Sequence, residues 1–265
     1  TLRRRLNRSS AYGTGGFGAS LPGPVRPPVQ LAAHVAYQAQ TYASDALGYR
    51  RADLLLAATP SATRFFAAQG RPAAHVPPCL EVAPAPRATG DTFRIAFCAH
   101  PLERPWKGLR YLLEAVTAVR PVEVTLFGGF DHTPDDLPAG VEVSGRIARD
   151  EYLDRVAEMD VLVAPALWEE WGYSLFEALS RGVPVIAFDL FPYDETIDDS
   201  LGVLVPPRDA AALASAIAAA RDGALPPRER VLESARERFG TDAIAAQLVD
   251  AYERTLAQTA RPSAA

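Results

Sequence analysis

Two glutamates, Glu169 and Glu177, stand eight residues apart with one glycine, Gly172, between them. Glu169 follows an apolar run that predicts a buried strand, and Glu177 falls about one turn into a predicted helix at residues 174–181. A helix N-terminus favours phosphate, and ionised glutamate accepts hydrogen bonds from sugar or ribose hydroxyls. We expect Gly172 to let the backbone approach a ligand without an intervening Cβ. Two interpretations fit this spacing. The two glutamates bind a nucleotide sugar, or Glu169 is a solvated acid in a loop and Glu177 an ordinary charged residue near a helix N-terminus.

The surrounding stretch, residues 169–187, resembles the E-x7-E signature of family 4 retaining glycosyltransferases with the GT-B fold. The positions that match in place are Glu169, Gly172, Glu177, Ala178, Gly182, Pro184 and Val185. Trp171 stands for the usual phenylalanine and Glu170 for the usual proline. The resemblance implies that Glu169 holds donor-sugar hydroxyls and that Glu177 holds the nucleotide ribose. It also implies donor contacts from the residues around the glycine: Trp171, Gly172, Tyr173 and Ser174.

The only lysine of the chain, Lys107, follows a predicted strand at residues 93–98 and opens the next predicted helix. A compact cation there would face a diphosphate, although a surface lysine without a role is the alternative. In the family this strand is followed by G-R-x4-K-G, with both cations on the phosphates. Here Ala99 and His100 replace the Gly-Arg pair, and two extra residues lengthen the loop. We expect Arg104 to supply the second cation, with His100 as the alternative.

Two further loops resemble the family pattern in part. Residues 189–195 correspond to D-x-G-G-x-x-E, and Glu195 matches although the glycine pair is absent. Residues 145–147 resemble the G-x-[VI] turn that holds the nucleotide base through backbone groups, which places Ile147 beside the donor. An ordinary strand-to-helix turn explains the same three residues equally well.

The sequence gives no sign of a metal site. Metal-dependent glycosyltransferases of the other large fold carry D-x-D, and no two aspartates in this chain are two residues apart. The histidines are scattered without ligand spacing: His34, His75, His100 and His132. We therefore expect no metal and no cofactor, with a nucleotide-diphosphate sugar as the donor substrate. Fixed cations and a helix N-terminus would neutralise the leaving diphosphate.

Composition excludes several protein classes. The 265 residues are 48% hydrophobic and 22% charged, as expected of a globular protein with a substantial core. No run of about 18 apolar residues predicts a membrane span, and the arginines near the N-terminus precede no apolar stretch of a signal peptide. The two cysteines, Cys79 and Cys98, form no C-x-x-C motif, so a disulfide framework is not expected. These features favour a cytoplasmic location.

From residue 93 onward, strand patterns alternate with helical patterns. Strands are predicted at residues 93–98, 122–127, 141–143, 160–164, 185–188 and 203–205. Helices are predicted near residues 109–116, 150–157, 174–181, 209–221, 228–238 and 241–258. This alternation predicts an α/β fold with a doubly wound, Rossmann-like parallel sheet, which binds ligands at the carboxyl ends of its strands. Before it, residues 52–58 predict a strand, residues 61–69 a helix, and residues 76–78 a short strand and turn.

The resemblance implies three parts. Residues 1–90 form an incomplete first lobe and linker on the acceptor side, and residues 91–240 form the donor-binding domain. Residues 241–265 contain a helix that crosses back to the first lobe. The chain opens at Thr1 and its only methionine is Met159, so we expect a segment before Thr1. A separate N-terminal chain is another source for that missing part.

The N-terminal part is basic. Residues 1–75 carry nine arginines against Asp45 and Asp53, a balance of +7, so the remainder carries −12 to reach the total of −5. Peripheral contact with an anionic membrane is one interpretation, and solvated arginines on a truncated lobe are the other. Residues 13–18 match G-x-G-x-x-G, but no apolar strand precedes them and prolines follow, so we assign no phosphate loop there. Residues 29–48 predict a helix.

The resemblance implies a retaining hexosyltransferase-type enzyme that passes a sugar from a nucleotide-diphosphate donor to an unknown acceptor, without an enzyme nucleophile. It implies that Lys107 and Arg104 stabilise the leaving diphosphate, with Glu169 as the third catalytic residue. Two alternatives remain open: a non-catalytic nucleotide-sugar-binding module, and a nucleotide-sugar epimerase of the same fold. The base, the sugar and the acceptor cannot be named from these residues.

Overall fold

The computed structural model describes residues 47–84, 92–131, 134 and 136–259. The G-x-G-x-x-G segment, most of the predicted helix at residues 29–48 and residues 85–91 of the predicted linker lie outside these ranges. The chain divides into two compact units, one of residues 1–55 with 66–72 and one of residues 56–65 with 73–265. In the described part of the first unit, residues 47–51 are helical, and the Tyr49 and Phe66 rings lie 5.1 Å apart.

Strands β1 (Leu55–Ala57) and β2 (Ala73–His75) form a two-stranded sheet. The main sheet contains β3 (Arg94–Cys98), β4 (Glu123–Phe127), β5 (Val141–Gly145), β6 (Val161–Ala164), β7 (Val185–Phe188) and β8 (Gly202–Val205). All neighbouring pairs of this sheet are parallel, in the order β5-β4-β3-β6-β7-β8. The doubly wound α/β prediction is therefore confirmed.

The helices are α1 (Pro60–Ala67), α2 (Leu109–Ala118), α3 (Arg149–Ala157), α4 (Tyr173–Ser180), α5 (Ala210–Arg221), α6 (Arg228–Phe239) and α7 (Thr241–Thr259). Two hydrophobic clusters show which helices share a side of the main sheet. One cluster contains apolar residues of α2 and α5, and the other contains those of α3, α4 and α6. None of the helices within the described ranges is both long and apolar enough to cross a membrane.

The central strands are buried on both faces, which explains why their sequences are continuous apolar runs. All four residues of β7 are buried, and so are the first three of β6. Strands covered by helices on both faces have no polar side, which is typical of parallel sheets. Gly182 follows α4 with a φ of 77°, the left-handed position at which the sequence predicts the helix to end.

The predicted elements from residue 93 onward agree with the structure to within a few residues. One prediction in the first part was wrong: the short strand lies at Ala73–His75 and not at residues 76–78. Pro77 and Pro78 lack the N–H that a strand ladder needs. The Val76 N–H still donates to the Ala57 carbonyl oxygen at 2.9 Å, so pairing stops there.

The strand order fixes where a ligand can bind. Strands β3 and β6 are neighbours, but the chain leaves them for opposite halves of the sheet. The loops that follow such a pair diverge and leave a crevice at the carboxyl end of the sheet. Lys107 lies in the loop after β3, and Glu169 lies in the loop after β6. The fold therefore brings residues that are 62 positions apart to one edge.

Candidate functional site

A cleft of about 700 Å³ lies at this edge of the main sheet. Its walls come from the loops after β3, β4, β5 and β6 and from the first turn of α4. Eight of the predicted site residues line it: His100, Lys107, Ile147, Glu169, Trp171, Gly172, Tyr173 and Ser174. Residues that are distant in sequence thus share one concave surface.

Lys107 and Glu169 form an ion pair in the wall of this cleft. Lys107 ends a 3₁₀ turn, and Gly108 follows it with a φ of 79°. A Cβ on Gly108 would lie 1.9 Å from the Pro165 carbonyl oxygen, so only glycine allows the two loops to come this close. The Leu167 N–H also donates to the Trp106 carbonyl oxygen at 2.7 Å. Backbone packing between the loops therefore sets the position of the pair.

The side chains of Lys107 and Glu169 are 25% and 15% exposed, so solvent screens the pair only in part. The lysine ammonium has three donors, and the carboxylate can accept several hydrogen bonds. Each group therefore retains capacity for a ligand while it neutralises the charge of the other. Such a pair can hold an anionic group beside a hydroxyl-bearing group, which is what a sugar diphosphate presents.

Gly172 precedes α4 with a φ of 83°. A Cβ there would lie 2.4 Å from the Tyr193 hydroxyl, so the space that a side chain at this position would need is filled by Tyr193, while Gly172 itself lines the cleft. The glycine is required by its backbone conformation and by Tyr193. Burial, together with the nearby Glu169 charge and Cys98, raises the pKa of Tyr193, so its hydroxyl stays protonated.

Glu177 lies in the second turn of α4 and is 9% exposed. It is not among the residues that line the cleft. Its carboxylate accepts a hydrogen bond at 2.5 Å from Arg149, the first residue of α3, whose side chain is 70% exposed. No sequence pattern predicts the contact with Arg149, because α3 and α4 are separated by a strand and two loops. The only available signal was that a carboxylate inside an apolar helix needs a cation.

Cys98 and Tyr152 also line the cleft, and sequence reasoning did not select them. Burial is the main cause that raises the pKa of the Cys98 thiol, so the thiol is protonated at neutral pH. Burial, followed by the nearby Cys98 and Glu177, raises the pKa of Tyr152 well above its usual value. Cys98 ends β3, so its position at the ligand-binding edge of a parallel sheet was the signal that could have identified it.

Arg104 and Glu195 do not line the cleft. Arg104 precedes the 3₁₀ turn, is exposed, and has its guanidinium 5.1 Å from the centre of the Trp106 ring. Glu195 accepts hydrogen bonds from the Ser61 N–H at 3.0 Å and from Arg64 at 3.1 Å. An acid at the first turn of α1 is favoured by its unpaired N–H groups, which explains this placement. The structure does not bring these two residues together with the others.

Within the described ranges there is no group of three or more His, Cys, Asp or Glu side chains arranged to hold a metal ion. Two cationic side chains, Lys107 and Arg146, are part of the cleft lining.

This chain is similar to a known protein family and to curated proteins. Residues 92–222 match the family model described as Glycosyl transferases group 1. A phosphatidyl-myo-inositol mannosyltransferase from Mycobacterium leprae is 32% identical over 166 residues, 57% of this chain and 44% of that protein. An MMP alpha-(1->4)-mannosyltransferase from Mycolicibacterium hassiacum is 28% identical over 175 residues, 59% of this chain and 42% of that protein. The chain thus spans less than half the length of these curated relatives.

Solved structures show the same fold. HepE from Anabaena, in complex with UDP and glucose, has a TM-score of 0.67 and 19% identity over 80% of this chain and 66% of that chain. Sucrose-phosphate synthase from Thermosynechococcus elongatus has a TM-score of 0.65 and 23% identity over 79% of this chain and 60% of that chain. The solved structures show the GT-B fold, and together with the family match and the curated relatives they support a family 4-type glycosyltransferase domain over residues 92–222.

Proposed function

We propose that this chain is the donor-binding part of a retaining, metal-independent glycosyltransferase that takes a hexose from a nucleotide-diphosphate sugar. The observation that carries the proposal is the meeting of Lys107 and Glu169 in the cleft at the switch point of the sheet. Lys107 follows β3 and Glu169 follows β6, so the fold and not their separation in the sequence brings them together. The family match supports the same chemistry.

In the proposed reaction, Lys107 and the N–H groups at the start of α4 neutralise the diphosphate. Glu169 accepts hydrogen bonds from hydroxyls of the donor sugar. The bond between the anomeric carbon and the diphosphate oxygen breaks, and the acceptor oxygen bonds to that carbon on the same face. The acceptor proton leaves with the diphosphate, so the enzyme needs no nucleophile. Glu177 accepts hydrogen bonds from the nucleotide ribose at the edge of the cleft.

The relatives support parts of this proposal. Both curated relatives are named as mannosyltransferases, which favours a hexose as the transferred group. One of them is named for phosphatidyl-myo-inositol, a lipid, and contact of the basic N-terminal residues with a membrane would suit an acceptor of that kind. The HepE structure contains UDP, which supports a nucleotide donor without fixing the base for this chain.

A nucleotide-sugar-binding module is the second candidate function, because the cleft and its ion pair would also suit binding without transfer. An epimerase of the same fold is the third candidate. The three differ in products, because transfer releases nucleoside diphosphate, binding alone releases nothing, and epimerisation returns a nucleotide sugar.

The test combines a thermal-shift panel of UDP-, GDP- and ADP-sugars with an assay for released nucleoside diphosphate. We expect one donor to stabilise the chain, with equal effect in excess EDTA. We also expect nucleoside diphosphate to be released only when an acceptor is present. Loss of donor binding in EDTA that Mn²⁺ restores would contradict the metal-independent assignment. A returned, epimerised nucleotide sugar would contradict transfer.

A further inference from the structure

Tyr152 has an unusual position in the wall of the cleft. The residue lines the cleft, yet its hydroxyl oxygen is buried. That hydroxyl makes no hydrogen bond of normal geometry with any residue that the structure describes, although the Cys98 thiol and the Glu177 carboxylate both lie close enough to influence it. A buried hydroxyl without a partner is unfavourable, and such groups concentrate where a protein serves a function. The position therefore points to a hydrogen bond that reaches normal geometry when the site is occupied, with the Glu177 carboxylate as the acidic acceptor close by.

Packing fixes the Tyr152 ring. It meets the ring of Phe127, the last residue of β4, edge to face, with centroids 5.3 Å apart and an interplanar angle of 83°. The guanidinium of Arg155 lies over the Phe127 ring at 5.5 Å from its centre. The Tyr152 ring is therefore packed against Phe127, and Arg155 packs in turn on the Phe127 ring. Its hydroxyl cannot turn out to solvent without the loss of these contacts.

The same helix face carries the partner of Glu177. Arg149 and Tyr152 are three residues apart on α3, and residues at this spacing lie on one face of a helix. Arg149 donates to Glu177 Oε1 from the exposed side. The Tyr152 hydroxyl stays protonated, because burial first, and then the nearby Cys98 and Glu177, raise its pKa. It is therefore a neutral donor beside a buried carboxylate.

Resting on the function proposed above, we propose that Tyr152 is a positioning residue for Glu177. In the occupied site its hydroxyl donates to the Glu177 carboxylate from the inner side, while Arg149 donates from the outer side. A carboxylate has about four acceptor positions, so two remain for the vicinal hydroxyls of a ribose. Held from both sides, the carboxylate cannot rotate, and its free lone pairs face the diol. Tyr152 thus acts on ribose recognition through Glu177 and contacts no reacting atom.

The experiment compares two ligands that share one base, a nucleoside diphosphate and its 2′,3′-dideoxy analogue. The base is the one preferred in the donor panel. We expect the wild-type chain to bind the riboside at least about tenfold more tightly, as charge-assisted hydrogen bonds predict. In Tyr152→Phe this ratio should fall by a factor of about three to ten, with affinity for the dideoxy analogue within about twofold of wild type. Tyr111→Phe is the matched control, because Tyr111 is a buried tyrosine whose hydroxyl pairs with Arg110 and lies outside the cleft lining. It should keep the full ratio.

The outcomes separate the two proposals. An unchanged ratio in Tyr152→Phe, or an equal loss for both ligands, overturns the positioning role and leaves the proposed function standing. Failure of the wild-type chain to bind any nucleoside diphosphate overturns the proposed function and this inference with it. If Tyr152→Phe fails to fold, the wild-type chain is labelled with 3-fluorotyrosine, and its ¹⁹F signals are assigned with other Tyr→Phe variants. The Tyr152 signal should then shift with the riboside and not with the dideoxy analogue, and equal shifts would overturn the role.

Discussion

The two glutamates of one motif are held in different ways. Glu169 pairs with Lys107 between two loops whose backbones touch, and both side chains are at most 25% exposed. Glu177 is buried inside a helix and pairs with Arg149, whose side chain is 70% exposed. The Lys107–Glu169 pair is positioned by closely packed backbone that leaves no room for movement. The Glu177–Arg149 pair depends on an arginine whose side chain is largely in solvent.

This difference distinguishes a fixed pair in the wall of the cleft from an adjustable pair outside its lining, and we call these two places the fixed half and the adjustable half of the site. The fixed half lies where a diphosphate and a reacting sugar would bind, and precise placement there favours catalysis. The adjustable half lies where the proposed function puts the ribose: the exposed arginine can reorient before a donor binds, and the contacts proposed for Tyr152 and Arg149 would hold the carboxylate once it is bound.

Gly108→Ala should be the most destabilising change. Its Cβ would lie 1.9 Å from the Pro165 carbonyl oxygen, and its φ is positive, so a loop must shift. We expect the free energy of unfolding to fall by about 3 kcal/mol or more in urea titrations. Gly223→Ala is the matched control, because Gly223 also has a positive φ but nothing lies within 4 Å of its Cβ. It should cost about 1–2 kcal/mol, and equal losses would refute the fixed-loop account.

Lys107→Ala should weaken the affinity for a nucleotide sugar by at least about 1.5 kcal/mol, since it removes a charge-assisted bond to the diphosphate. Arg104→Ala, on the same loop but outside the cleft lining, should cost less than about 0.5 kcal/mol. Calorimetric titration measures both. A larger loss for Arg104→Ala would instead support the expectation, drawn from the sequence, that Arg104 binds the phosphates.

Removal of the two partners in the adjustable half should have unequal effects. Glu177→Ala should weaken donor affinity by at least about 1.5 kcal/mol, because it removes the acceptor of the ribose hydroxyls. Arg149→Ala should lower the free energy of unfolding by about 1–3 kcal/mol, because it leaves the buried Glu177 carboxylate without its cation. Donor titration and urea unfolding of both variants check this. If Arg149→Ala weakens binding as much as Glu177→Ala does, the arginine itself contacts the donor.

The two cysteines should differ in reactivity. Cys79 is exposed, whereas Cys98 is partly buried in the cleft and its raised pKa keeps the thiolate scarce at neutral pH. We expect iodoacetamide to alkylate Cys79 first, and bound nucleotide sugar to slow the reaction of Cys98 alone. Mass spectrometry of peptides over time measures both rates. Equal protection of the two cysteines would indicate a general stabilisation and not occupancy of the cleft.

Sequence patterns were sufficient for the main sheet and for the cleft wall that follows β6. Apolar runs located β6 and β7, and the glycine and proline signals located the end of α4, because these features depend on neighbours in the chain. Family resemblance then linked Lys107 to Glu169, which the structure places in contact.

The contacts that could not be predicted from the sequence depend on long-range packing. Arg149 meets Glu177 only because α3 packs beside α4, and no spacing in the chain encodes that contact. The contact between Gly172 and Tyr193 was not predicted for the same reason, since Tyr193 comes from a loop 21 residues later. Arg104 was favoured for its permanent charge, but a lengthened loop leaves its direction open, and it lies over Trp106 outside the cleft lining.

The central claim is that the cleft holds a nucleotide sugar with Lys107 at its diphosphate. The most direct test is a calorimetric titration of wild type, Lys107→Ala and Lys107→Arg with the sugar nucleotide that stabilises the chain best. The account predicts saturable binding by wild type, at least about tenfold weaker binding by Lys107→Ala, and partial recovery by Lys107→Arg. Binding of the same strength by all three proteins would show that the diphosphate lies elsewhere and would contradict the account.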